Sequence, residues 1–536
     1  MGFLENEYSL KPHPSPDAVD SEKGGLPQYT TDAPAVAGEV FVTGDSKYAK
    51  IQRAVSKFGV EPRGIERVPE DERTDTNLMK VGTMEIMEKA QWLMRAIFQW
   101  CSANMVVSSF AIGALAIPVF DLGFVDSLLT IFFINCLAIT PVAFFSTFGP
   151  RFGLRQMVLS RFFFGFYGVK VIACFNVLAC VGWSAVNVIV GAQLINAVNP
   201  NVPGYAGIII IAAATWLVTV FGYKVVHKYE FWSWIPSLII FLIVLGEFAH
   251  SGKFMNLAMH TGSSEAGSVL SFAASVYGFG TGWTSYAADY TVYQPVNVSR
   301  IKTFAWTYGG LIFPLCFTEM LGLAVATATL DTVDTSYSDG YKNSGIGGLL
   351  AAVLFPSLGG FGKFCLVILA LSIIANNCPN IYSLTFSLQL LASWTQAIPR
   401  FIWTFVGTIV YCAIAIPGYS HFESVLENFM LLIGYWLAIY EAISLSEHFL
   451  FKRRKYDISI WNSPSQLPPG GAAVLAFCFG VFGAVMGMAQ VWFIGPVGKK
   501  IGNPMFGGDV GFELAFAFAG IAYLGLRYGE KRMFGR

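Results

Sequence analysis

The sequence predicts an all-α integral membrane protein of twelve transmembrane helices, built as a five-plus-five inverted repeat with two further helices at the C-terminal end. Three observations carry this. The 536 residues are 54% apolar and only 13% charged, about half the charged fraction of a soluble domain, and the mean hydropathy is +0.56. Apolar runs of membrane-crossing length fall at 96–119, 125–147, 162–194, 204–222, 230–249, 267–290, 302–329, 361–391, 401–417, 422–449, 471–493 and 510–527, the ninth being short. The irregular chemistry sits in spans one and six: Ser102, Asn104, Ser108, Ser109 and Gly113 ahead of Pro118, and Tyr277-Gly278-Phe279-Gly280-Thr281-Gly282-Trp283. Units with an odd number of spans insert upside down relative to each other, so five plus five makes spans one and six equivalent, whereas six plus six does not. Glycines that disfavour a continuous helix there free backbone groups for a ligand, although small residues also serve tight helix packing.

Residues 1–90 read as a cytosolic, largely disordered tail, since the stretch to about residue 80 is rich in Pro, Asp, Glu, Lys and Ser and cannot bury a core. Within it Tyr48, Ile51, Val55 and Phe58 are spaced for a short amphipathic helix between Asp45 and Val60. The first repeat occupies 91–250 and the second 267–449; residues 450–528 hold a cytosolic loop and the two appended helices, and 529–536 a cytosolic tail. Gly345 to Leu358 is apolar but too short to span, and is expected to lie along the outer surface before span eight.

Basic residues set the orientation. Arg151, Arg155 and Arg161, then Lys224 and Lys228, Arg300 and Lys302, Arg400, and the run Lys452 to Lys455 mark one set of connections. The other set carries Asp121, Asp126, Asp331, Asp334 and Asp339 with Lys342, and Lys499 and Lys500 are the clear exception to the pattern. Both termini are therefore expected in the cytosol, as is the Asn297-Val298-Ser299 sequon, which should stay unglycosylated. With 34 basic and 34 acidic residues, no net field points to nucleic acid. All nine cysteines fall in apolar spans, so neither a disulfide framework nor metal-binding CxxC spacing is expected, and the start lacks the apolar core of a cleaved signal peptide. The histidines lie in connections, near span ends or in the tail, so no nucleophile–base set or metal cluster marks an enzyme. No repeated filter motif marks a channel.

Span eight, Phe361 to Ala392, carries Asn376, Asn377 and Asn380 around Pro379. Hydrocarbon offers these amides no water, so they must pair with other helices or with a ligand, and intramembrane polar clusters are functional candidates. On span three, Trp183 and Asn187 are four apart and share a face; Trp283 follows the glycines of span six. If spans one, three, six and eight converge, two indoles can sandwich a flat ring while amides read its edge.

These segments carry a resemblance. Gly149-Pro150-Arg151-Phe152-Gly153, Trp183 to Asn187, Tyr277 to Trp283 and Ala375 to Asn380 resemble the fungal purine-cytosine permeases of the nucleobase-cation symporter-1 family, and the similarity extends from about Asp71 to the C-terminus. The resemblance implies a LeuT-like fold, alternating access, a plasma-membrane location and uptake of cytosine, adenine, guanine and hypoxanthine. It implies a substrate set of Ser108, Ser109, Trp183, Asn187, Gly282, Trp283, Asn376, Asn377 and Asn380, with Pro379 setting helix geometry. An amino-acid or vitamin carrier on the same scaffold is the alternative. Bacterial sodium-coupled relatives place hydroxyl residues where this chain has Ile374 and Ala375; neither side chain ligates a hard cation, so sodium is disfavoured and H+ is the expected coupling ion, with no cofactor and no metal. Glu319, Lys170 and Asp289 are the coupling candidates, with Glu441 beside them. The remaining expected partners are membrane lipid and, through tail lysines such as Lys11, Lys23, Lys47, Lys50 and Lys57, ubiquitin-dependent endocytic machinery.

Overall fold

The structure is a computed structural model that describes residues 28–30, 41–43, 64–73, 101, 104–220, 223–503 and 505–536. The amphipathic stretch expected between Asp45 and Val60, the tail lysines and the first part of span one lie outside the described residues. Two parts of the tail are nevertheless ordered pieces of structure. Gln28–Thr30 pairs antiparallel with Phe41–Thr43, and residues 64–73 are seated on the loop after span two. There Arg67 Nε donates to the Phe152 carbonyl at 2.8 Å, Val68 N to the Gly153 carbonyl at 2.8 Å, and Arg73 Nη1 to the Pro150 carbonyl at 3.0 Å. The polar composition that argued for disorder is here what binds, because a guanidinium can satisfy several loop carbonyls at once.

The helices are α1 (Val107–Ala114), α2 (Phe124–Ser146), α3 (Arg161–Val198), α4 (Gly204–Val220), α5 (Tyr223–Ser251), α6 (Ser263–Thr281), α7 (Arg300–Thr327), α8 (Ser336–Leu391), α9 (Arg400–Gly418), α10 (Phe422–Ser446), α11 (Gly471–Gly487) and α12 (Gly511–Phe534), joined by short single-turn pieces. Among the described residues, six stretches are by themselves long and apolar enough to cross a bilayer: Phe124–Phe152, Arg161–Val198, Trp232–Ser251, Arg300–Leu330, Ser336–Leu391 and Arg400–Phe451. Phe133, Leu178, Ile210, Leu217, Phe364 and Phe482 point outward and are exposed, as side chains that face lipid are. At the centre α3 packs along α8; α1 and α2 pack on α7, α6 lies between α2 and α10, and α11 and α12 pair with each other against α10.

Both suspected breaks exist, with shifted positions. α1 resumes after Val106, which is extended (φ −139°, ψ 162°). In span six the helix runs straight through Gly278 and Gly280 and changes to 3-10 winding only at Gly282–Tyr290, with Tyr286 off the helical region at φ −141°. The glycines serve packing instead: a Cβ on Gly278 would stand 2.0 Å from the Met430 carbonyl oxygen of α10, and one on Gly113 only 1.8 Å from the Glu319 carbonyl oxygen of α7. α8 is three helical stretches, parted by Ser344–Gly345 and by Gly359, two glycines at φ +54° and +50°; the middle stretch matches in extent the short helix expected from Gly345 to Leu358. Pro379 leaves its part of α8 helical.

Contacts this close leave no room for a methyl group, and overpacking costs roughly 1–3 kcal/mol. Gly278→Ala should lower the detergent melting temperature and surface abundance, while Gly309→Ala, whose Cβ would meet nothing within 4 Å, should leave both unchanged. Equal melting temperatures for the two variants would refute the close α6–α10 contact.

Candidate functional site

α1, α3, α6 and α8 meet around one small cavity lined by Asn104, Trp183, Phe279, Gly282, Trp283, Tyr286, Asn376 and Asn380. Asn376 and Asn380 are one helical turn apart, so both reach it from one face of α8. They are held by a chain of short hydrogen bonds. Ser108 Oγ donates to Asn187 Oδ1 at 2.6 Å, and Asn187 Nδ2 to Asn376 Oδ1 at 2.7 Å. Asn380 Nδ2 donates to the Asn376 carbonyl at 3.2 Å, and Tyr286 OH to Asn380 Oδ1 at 3.0 Å.

Both indoles line this cavity. Trp183 is edge-on to Phe279 and Phe429, with centroids 5.3 and 5.4 Å away. Trp283 is edge-on to Tyr286 and Tyr290 at 5.3 and 5.9 Å, and its Nε1 donates to Asn104 Oδ1 at 3.2 Å. Gly282 lets Trp183 approach: a Cβ there would lie 2.9 Å from Trp183 Cζ2. Inside the cavity there is room for the centre of a water molecule over only about 10 Å³, so a planar ring enters only when side chains or the 3-10 segment move.

Of the residues expected at the site, Trp183, Gly282, Trp283, Asn376 and Asn380 line the cavity. Asn187 and Ser108 stand behind Asn376 and orient it, and Ser109 Oγ donates to the Asn104 carbonyl at 2.8 Å, fixing the residue beneath Trp283. Asn377 turns to the opposite side of α8. Its amide nitrogen and oxygen are buried without a hydrogen-bond partner among the described residues, and the Tyr411 phenol of α9 is its polar neighbour. Pro379 lies within the same turn, and neither it nor Asn377 is among the residues that line the cavity. Asn104, Phe279 and Tyr286 were missed. Asn104 stood among the polar residues of span one, and its buried Nδ2 has no partner among the described residues, leaving a donor at the cavity wall. Tyr286 had a usable signal, three residues after Trp283 on the same broken segment.

The coupling candidates separate. Glu319 is buried on α7, where Oε2 accepts from Asn135 Nδ2 of α2 at 2.6 Å and Oε1 has no partner among the described residues. Lys170 lies on the outer side of α3 with its ammonium 5.8 Å from the ring centre of exposed Tyr167, away from the cavity. Asp289 accepts from Gln156 N at 2.7 Å in a layer on the arginine-rich side. In that layer Arg155 donates to Tyr382 OH at 2.9 Å and lies 4.3 Å over Phe386, while Arg400 lies 4.6 Å over Tyr382. Cation–π contacts and a hydrogen bond thus tie Arg155 and Arg400 to span eight.

A family model described as permease for cytosine/purines, uracil, thiamine and allantoin matches residues 86–497. The chain belongs to this permease family. It is 58% identical over 504 residues to the purine-cytosine permease fcyB of Emericella nidulans, covering 94% of this chain and 95% of that one. It is 42% identical over 529 residues to the purine-cytosine permease FCY2 of Saccharomyces cerevisiae, covering 97% and 96%. Among solved structures it resembles Mhp1, a nucleobase-cation-symport-1 family transporter in a closed conformation with bromovinylhydantoin bound, at a TM-score of 0.64 and 13% identity over 82% of this chain and 93% of that one; this likeness carries the fold. The chain is thus a multi-pass membrane permease of this family and not an enzyme.

Stacking on an aromatic side chain is worth roughly 1–3 kcal/mol per base, about ten- to a hundredfold in affinity. Trp283→Ala should therefore weaken every base by about that factor, and Trp283→Phe should recover part of it. Asn380→Ala removes an edge contact and should change the rank of cytosine against adenine, and Asn187→Ala should do so less strongly, through Asn376. The measurement is competition of labelled cytosine uptake by cytosine, adenine, guanine, hypoxanthine and uracil in variants verified at the cell surface. Parental constants for every base in Trp183, Trp283 and Asn380 variants would place the site elsewhere.

Proposed function

We propose that this chain is a proton-coupled symporter that imports cytosine, adenine, guanine and hypoxanthine across the plasma membrane by alternating access. The observation that carries the reading is a cavity lined by two indoles and two span-eight amides. Flat rings with hydrogen-bonding edges are what such a cavity recognises; an amino acid would call for helix ends turned to a carboxylate. The names of the relatives agree with it. The architecture proposed with it is twelve spans, five plus five inverted about the α1 and α6 breaks with α11 and α12 appended, and both termini in the cytosol. Tail lysines then serve as addresses for ubiquitin-dependent removal from the surface. The breadth of the family description leaves a vitamin or other small solute as the second reading, and adding thiamine, amino acids and nucleosides to the competition assay separates the two.

Proton rather than sodium coupling has two supports. Ile374 packs with Cys378 against Ala214 and Val218 of α4, an apolar contact where a sodium shell would need oxygens. Glu319 has one amide donor and, among the described residues, no cation as a partner, so ionising it in this setting is poorly compensated and a proton can be exchanged as the helices rearrange.

Cytosine accumulation should persist when sodium is replaced by an impermeant cation and collapse with the proton gradient. Glu319→Gln should reach the surface and equilibrate cytosine without concentrating it. Full sodium dependence would refute proton coupling, and undiminished accumulation by Glu319→Gln would remove that residue from it.

A further inference from the structure

We propose that Glu441 is a positioning residue for the base: a carboxyl on α10 that clasps the point where span six changes its winding and thereby fixes where Trp283 stands. This rests on the base-sandwich reading above. Glu441 is buried, and three hydroxyls from span six converge on it. Tyr277 OH donates to Oε2 at 2.7 Å; Thr281 Oγ1 and Thr284 Oγ1 both donate to Oε1, the latter at 3.2 Å. The three donors straddle the transition, since Tyr277 lies one turn before it, Thr281 ends α6, and Thr284 belongs to the 3-10 segment. Trp283 stands between the last two. Its ring nitrogen is tied to Asn104, so the indole is fixed at its tip by the part of span one ahead of α1 and at its backbone by the clasp.

Everything around Glu441 suits an anchor. Both oxygens are engaged, in contrast to Glu319, whose Oε1 has no partner among the described residues; no cation stands among the described partners of Glu441. The adjacent Tyr440 hydroxyl is occupied by Gln156 Nε2 and Ser160 at 2.7 and 2.8 Å. The close contact at Gly278 keeps α6 and α10 from separating, and Tyr277 stacks on Phe512 of α12 with centroids 4.1 Å apart. Spans ten and twelve thus brace the winding change of span six, span ten through this carboxyl and span twelve through Phe512 against Tyr277.

The test is the Michaelis constant and maximal rate of cytosine uptake in surface-verified Glu441→Ala, Glu441→Gln, Trp283→Ala and the Glu441→Ala/Trp283→Ala double variant. Glu441→Ala should raise the Michaelis constant about tenfold, as removing one good hydrogen bond does. Glu441→Gln should recover most of this, because its carbonyl still accepts from both threonines. The double variant should be no worse than Trp283→Ala alone, since Glu441 acts through the indole. Additive effects overturn the proposal, as does a Glu441→Ala constant equal to the parent's while Trp283→Ala is impaired; either outcome leaves the sandwich standing. An unimpaired Trp283→Ala overturns the sandwich and the clasp together. A Glu441→Gln variant with the parental constant that cannot concentrate cytosine would make Glu441 a proton carrier and also overturn the positioning role. Should Glu441→Ala fail to reach the surface, Thr284→Val removes one arm of the clasp and should raise the constant a few-fold; no change overturns the proposal.

Discussion

Two side-chain hydrogen bonds, Ser108 to Asn187 and Asn187 to Asn376, join α1, α3 and α8 at the wall of the cavity. In a bilayer these groups have no water to return to, so breaking the chain costs the full desolvation of each amide. That constraint fixes the facing of three helices at once. Once Asn376 faces Asn187, Asn380 must face the cavity one turn later and Asn377 must face away. The indoles take their places in the space this leaves, Trp183 four residues before Asn187 and Trp283 on span six.

The helices were legible because uninterrupted apolar runs are a strong signal, and the short helix before span eight was bounded correctly by its glycines. The cavity was legible through residue chemistry, since tryptophans and asparagines at membrane depth have few other uses. What escaped was direction. Three asparagines within five residues cannot be sorted into inward and outward from sequence until a partner such as Asn187 is placed, and so Asn377 looked the equal of its neighbours. The span-six glycines misled for a related reason. A glycine that frees a backbone for a ligand and one that admits a neighbouring carbonyl read identically, and Met430 decided between them. Asn104 and Tyr286 reach the cavity only because the chain around each departs from regular helix, a departure no periodicity reveals.

The segment Gly64 to Arg73 shows the reverse error. Charge and proline argued against a core, correctly, but order here needs none. Arg73 is buried by donating to the carbonyls of Val68, Pro150 and Arg151, so hydrogen bonding to a glycine-turned loop replaces apolar burial. The loop Gly149 to Gly153 thereby touches the segment ahead of span one on one side and, through Gly149 against Thr291 and Ala288, the end of span six on the other.

The tightness of the cavity has an energetic meaning. With space for little more than a single water centre in the cavity that Trp183 and Trp283 help to line, a base cannot simply drop in. It must part the walls, and the work of parting is drawn from the same stacking energy that holds it. Measured affinity is then the remainder after that work is done. Two bases with equally good edge contacts differ whenever one ring wedges the indoles apart more than the other. Discrimination in such a site belongs as much to the stiffness of the protein as to the pattern of donors and acceptors on the ligand.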